Sequence, residues 1–142
     1  MKRLFLIPVC VFFAILIFGC CEHQTNKLSN AVITNVKTSD CLLSEQNNTF
    51  AKSMDSLTVQ YSDHTLFITQ FGLWIVCATD IINTSIQTSN DTIRVFESGR
   101  TDDDCVCKVN HAFQIENVPP GVYVLEIYYF NFLNYQQTYD LR

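Results

Sequence analysis

Cys105 and Cys107 stand two residues apart, just after the acidic run Asp102–Asp104 and shortly ahead of His111. Thiolate, imidazole and carboxylate are the usual ligands of zinc, copper and calcium, and a thiol pair can also be a redox centre or two structural bridges. Spacing decides among these. Zinc motifs favour Cys-x₂-Cys, a calcium loop places Gly and Glu at set positions, and a thioredoxin-type pair is Cys-x-x-Cys at a helix start. None of these patterns is present. Cys77, Cys105, Cys107 and His111 could make a tetrahedral set, but the spacing points away from it. No metal and no cofactor are expected, and Asp102–Asp104 reads as a solvated loop. On a strand, residues two apart share a face. Cys105 and Cys107 therefore cannot bond each other without breaking the strand, and each must reach a distant cysteine.

Other chemistry is sparse. His64 lies in a turn pattern, and no Ser-His-Asp signature accompanies His64 or His111. Glu97 and Glu116 both fall near strand ends and could pair, but a pair of glutamates is expected in any sandwich. The chain is read as non-enzymatic. A denser signal is aromatic: Trp74, Tyr128, Tyr129, Phe130, Phe132 and Tyr135. Alternation buries about half of such a set, so these six are a candidate binding patch for a glycan or peptide. The competing reading packs them as core under the last loop.

The compartment follows from the other end of the chain. Met1-Lys2-Arg3 is a basic head, Leu4 to Phe18 is apolar, and Gly19-Cys20 follows. Charged head, apolar middle and small residue before the cut form a secretory signal. The run is shorter than the roughly 20 residues that span a bilayer. Ile17-Phe18-Gly19-Cys20 resembles a bacterial lipobox, with Phe18 where a small residue is usual. The resemblance implies a signal peptide over 1–19 and lipidation, such as palmitate, at Cys20. Residues 20–30 then read as a lipid-anchored tether and 31–142 as the folded domain. Removing Lys2 and Arg3 with the signal takes the net charge from −5 to −7. An acidic domain argues against nucleic acid, which needs a basic face. Partners are the membrane, through the anchor, and an envelope protein or glycan.

Export places Cys41, Cys77, Cys105 and Cys107 in an oxidising compartment, which favours disulfides. Two connectivities remain, with Cys105 and Cys107 each joined to either Cys41 or Cys77. A Cys77–Cys105 bridge would close a loop of about 28 residues, worth roughly 3.5 kcal/mol by chain entropy.

The elements that must hold these residues are short strands. Thr, Val, Ile, Tyr and Phe are abundant, and most segments alternate at period two with no helical stripe. Strands are expected at Ala31–Lys37, Leu57–Tyr61, 65–70, 73–79, Asn83–Thr88, Thr92–Glu97, 122–130 and 135–141, with 105–109 and 112–118 as two short strands or one bent strand. Residues 41–53 read as a loop, Phe71-Gly72 as a break, and Asp63-His64 and Ser89–Asp91 as turns. Gly121 is expected to supply a positive φ after Pro119-Pro120. About seven to nine short strands with regular turns indicate a single antiparallel β-sandwich.

"NVPPGVYVLEI" resembles the Pro-Gly-x-Tyr hairpin of transthyretin-like and carboxypeptidase-regulatory-like sandwiches. With Cys77, Thr92–Glu97 and the Cys-x-Cys, residues 73–128 resemble small envelope lipoproteins of Bacteroides-type bacteria. The likeness implies an immunoglobulin- or transthyretin-like sandwich on the outer membrane, facing the periplasm or the surface, and no activity. Asp55-Ser56-Leu57 and Asp91-Thr92-Ile93 resemble the O-glycosylation acceptors of such bacteria, which makes Ser56 and Thr92 candidate modification sites. The sequons at Asn47, Asn83 and Asn90 carry no expectation in that setting.

Overall fold

The computed structural model describes residues 27–45, 54–77, 82–99 and 105–142. Cys20, the signal segment, most of the tether and Asp102–Asp104 lie outside them. Among the described residues nine strands form: β1 (Val32–Thr38), β2 (Leu43–Glu45), β3 (Ser56–Ser62), β4 (Thr65–Val76), β5 (Asn83–Ser89), β6 (Thr92–Ser98), β7 (Val106–Glu116), β8 (Gly121–Tyr129) and β9 (Phe132–Leu141). Sheet A has the order β1-β7-β4-β3, with β2 also on β7, and sheet B the order β5-β6-β8-β9. The all-β two-sheet sandwich is thus the fold.

One pair departs from a purely antiparallel plan: β6 and β8 run parallel, Thr92 opposite Val124 through Glu97 opposite Tyr129. The cause is a count of reversals. The chain leaves sheet B after β6, runs back along sheet A as β7, and returns as β8 pointing the same way as β6.

Turn chemistry fixes the hairpins. Asp63-His64 and Phe130-Asn131 both hold two consecutive positive φ values, the arrangement whose twist suits a two-residue hairpin. Phe71-Gly72 does not end a strand. The register with β7 slips between Gln70 and Leu73, Gly72 takes φ +63°, and β4 continues as one bulged strand. Of the two readings of 105–109 and 112–118, the single strand forms, as β7 over Val106–Glu116. In the Pro-Pro-Gly turn the positive φ belongs to Asn117, and Gly121 opens β8 in an ordinary conformation, so that expectation is corrected. A Cβ on Gly121 would meet the Tyr123 ring at about 3.1 Å. The turn is held from outside: His64 O accepts from Val118 N (2.9 Å), and Tyr61 OH donates to Val118 O (2.9 Å).

Alternation builds the core. In β6, Ile93, Val95 and Glu97 point in; in β7, Val109, His111, Phe113 and Ile115 do. The buried apolar residues form two clusters. The larger holds Leu66, Ile68, Val95, Phe113 and Ile127 among others, and the smaller holds Leu73, Ile75, Cys107, Val109 and Tyr129. Leu28, expected in the tether, belongs to the larger cluster at 0 % exposure, and its carbonyl accepts from Ala31 N and Thr88 Oγ1.

Candidate functional site

The cysteines are paired as Cys41–Cys107 and Cys77–Cys105. This is one of the two connectivities left open by sequence, and β7 explains it. Ser44 of β2 is opposite Cys107 on one side of β7, while Val76 of β4 is opposite Val106 on the other. Cys107 therefore meets the segment leading into β2, and Cys105 meets Cys77, the residue just past the end of β4. Cys77 N donates to Cys105 O (2.9 Å), fixing that end. His111 does not join the sulfurs: its ring nitrogens go to Thr38 and Thr84.

That histidine belongs to a layer which sequence reading missed. Gln70, Glu97 and His111 are all at most 2 % exposed. Along β4 the order is Ile68, Gln70, Leu73, and along β7 it is Val109, His111, Phe113, so the polar layer separates the two apolar clusters. Thr38 Oγ1 is 2.9 Å from His111 Nδ1, and Thr84 Oγ1 is 3.0 Å from Nε2. Gln70 Nε2 donates to Glu97 Oε1. Glu97 Oε2 and the Tyr129 hydroxyl have no hydrogen-bond partner.

His111 Nε2 and Glu97 Oε1 stand 3.7 Å apart, within ion-pair distance. Their charges do not form a pair at neutral pH. Burial raises the Glu97 carboxyl to about 8, against a smaller opposing effect of the Gln70 hydrogen bond. Burial lowers the His111 imidazole to about 4, against a hydrogen bond to the Lys37 backbone. Desolvation disfavours both charged forms, and a neutral acid beside a neutral imidazole is the consistent state. The same burial, with the nearby Glu97, raises Tyr129. Glu116 does not meet Glu97; it accepts from Thr34 Oγ1 (2.6 Å) on sheet A. The missed signal was present in the sequence: Leu66-x-Ile68-x-Gln70, Ile93-x-Val95-x-Glu97 and Val109-x-His111-x-Phe113 each continue an apolar alternation into a polar residue.

The six aromatics are dispersed. Trp74 lies on sheet A under Lys108 Nζ, 5.0 Å from the ring centroid. Tyr129 is core, with Phe130 edge-on at 4.5 Å. Tyr135 is half-buried and shares a hydrogen bond with Tyr139 OH (2.5 Å). Tyr128 remains on the outer face of sheet B, stacked on Phe96 at 5.0 Å. Register aligns Phe96, Tyr128 and Leu133 as one cross-strand row. The neighbouring row is polar: Glu126 accepts from Arg94 Nε (2.8 Å), Tyr128 OH (3.1 Å) and Gln136 Nε2 (3.0 Å). The apolar row runs out to the β8–β9 tip, where Phe132 is 76 % and Leu133 49 % exposed. Beside it, a cavity of about 270 Å³ is lined by Asn83, Ser85, Phe96, Ser98, Phe130 and Asn131, among others. Phe130 holds φ +48°, a conformation that costs a bulky residue. Ser56 is exposed at the start of β3, and Thr92 is half-buried at the start of β6.

No family model, curated protein or solved structure matches the chain.

Proposed function

We propose that the chain is a lipid-anchored, non-catalytic binding module of the bacterial cell envelope, held at Cys20. In this reading it meets an envelope partner with the outer face of sheet B and the β8–β9 tip. The observation that carries the reading is the apolar row Phe96–Tyr128–Leu133, half-buried at Phe96 and Tyr128 and exposed at Leu133, with exposed Phe132 beyond it, beside the ordered array Arg94–Glu126–Gln136. Apolar surface rimmed by fixed polar groups is the composition of a recognition site. The strained Phe130 at the same tip supports it, because such backbone costs persist where a side chain is needed in place.

A glycan is the partner favoured by one further observation. The cavity beside Phe96 and Phe130 offers the amides of Asn83 and Asn131 and the hydroxyls of Ser85 and Ser98, donors and acceptors matched to a neutral sugar. The test is a photo-crosslinking residue placed at Leu133 in the membrane-anchored protein, with a second at Phe67 on sheet A as control. A discrete adduct from Leu133 and none from Phe67 is expected. Equal labelling from both faces refutes the assignment of the face. Glycan-array binding that Phe130→Ala abolishes marks the partner as carbohydrate.

A further inference from the structure

The sulfurs of Cys41, Cys77 and Cys107 all lie within 4.8 Å of one another, although Cys77 is bonded to Cys105 and not to either of the others. The cause is the layout of β7. Cys105, immediately before this strand, and Cys107 within it are two residues apart, and their partners approach from its two sides, Cys77 from just beyond the end of β4 and Cys41 from the segment before β2. The two bridges converge, and Cys77 is the sulfur of one that sits against both sulfurs of the other. Cys105 stands outside this group of three. Exposure differs across it: Cys41 is exposed, Cys77 and Cys105 are half-buried, and Cys107 is buried.

We propose that the two disulfides form an exchange pair in which Cys77 changes partner. The step begins with an external monothiol as its thiolate. It attacks Cys105 Sγ, forms a mixed disulfide there, and expels Cys77 as a thiolate. Cys77 then attacks one sulfur of the Cys41–Cys107 bridge, bonds to it, and displaces the other sulfur, which takes a proton from solvent. Each step forms one S–S bond and breaks one, so no oxidant is consumed. Reach favours the second attack. Both target sulfurs are already beside Cys77, and Cys41 lies in an irregular segment that can follow it. The outcome moves the tie of residue 41, or of β7, onto the end of β4, and a thiol appears on a cysteine that the external reagent never touched.

The test uses the full chain purified in detergent, with Cys105→Ser, which leaves Cys77 as a thiol beside the intact second bridge. After incubation at pH 8, acid quenching and alkylation, peptide mapping should find Cys77 disulfide-bonded to Cys41 or Cys107 in at least one tenth of the molecules. The free thiol should then sit on the displaced cysteine. The Cys77→Ser variant is the control, and its thiol should stay on Cys105. Cys77 carrying the thiol in the whole Cys105→Ser population overturns the proposal, as does equal exchange from Cys105 in the control. If Cys105→Ser fails to fold, wild-type protein pulsed with substoichiometric 2-mercaptoethanol gives the same reading. A Cys77 link to Cys41 or Cys107 supports the proposal, and loss of native bridges with no new pairing refutes it.

Discussion

Replacing Glu97 with glutamine should change how stability depends on pH, in a direction the buried layer fixes. The Glu97 carboxyl rises from 4.5 to about 8 on folding. A raised folded value means the folded state holds the proton more tightly. Its contribution is complete below pH 4.5 and is lost as pH climbs to 8. At about 1.4 kcal/mol per pH unit, the whole span is worth roughly 5 kcal/mol as a ceiling. His111 falls from 6.5 to about 4, so its contribution is complete above pH 6.5 and is lost as pH drops to 4. Between pH 4.5 and 6.5 the two slopes oppose and cancel. From 6.5 to 8 only Glu97 acts, and the wild-type protein should lose about 2 kcal/mol. In urea that is a midpoint shift of about 1 M. Glu97→Gln keeps the shape and the Gln70 contact but has no proton to lose. Its stability should be flat from pH 6.5 to 8 and should rise with pH between 4.5 and 6.5, where His111 is then unopposed. Urea unfolding of both proteins at half-unit steps from pH 4.5 to 8.5 decides it. A variant that falls from 6.5 to 8 as steeply as wild type would show that a group other than Glu97 releases the proton over that range.

Gly72→Ala should cost about 1 to 2 kcal/mol, because the bulge needs φ +63° and the new Cβ would come within 2.6 Å of Asp55 Cγ; thermal unfolding checks it, and an unchanged midpoint would mean the bulge relocates. Removing one bridge as Cys41→Ser with Cys107→Ser opens a separation of 66 residues and should cost roughly 4 kcal/mol by chain entropy, against roughly 3.5 kcal/mol for the 28-residue separation of Cys77 and Cys105. Comparison of the two double variants by urea unfolding tests that order. Cys20→Ala should abolish metabolic incorporation of palmitate and leave an unprocessed or soluble chain; normal processing and retention in the membrane fraction would refute the anchor.

Strand positions were legible because alternation at period two is local, and burial of one face reads directly in residues such as Ile93-x-Val95. The turn at Asp63-His64 was legible for the same reason. The strand direction of β6 against β8 was not, since it depends on the intervening β7 lying in the other sheet. The Phe71-Gly72 bulge and a strand end leave the same mark in sequence, a glycine that interrupts the pattern. Cysteine geometry could exclude the Cys105–Cys107 pair, yet choosing between the other two connectivities requires knowing which strands flank β7. The polar layer was overlooked because Gln70, Glu97 and His111 are ordinary surface residue types, 27 and 14 positions apart. Only the apolar alternation leading into each of them indicates burial. The aromatic residues divide as alternation predicts: neighbours on a strand go to opposite faces, so Tyr129 enters the core while Tyr128 stays on the outer face.

The pairing of β1 with β7 joins Val32 to Glu116, partners separated by most of the domain. β4 likewise waits for β7, and β8 must wait for it before lying beside β6. A chain that emerges from its N-terminus first therefore presents β1 and β4 with open edges until residues 106–116 arrive, and the β5–β6 hairpin with an open edge until residues 121–129 follow. Loop closure over such distances is slow, and unpaired edges are where chains stick to one another. β7 is thus the element whose arrival sets when sheet A can close. Its delay, rather than the loss of any one contact, is the condition under which this protein would need a holding chaperone.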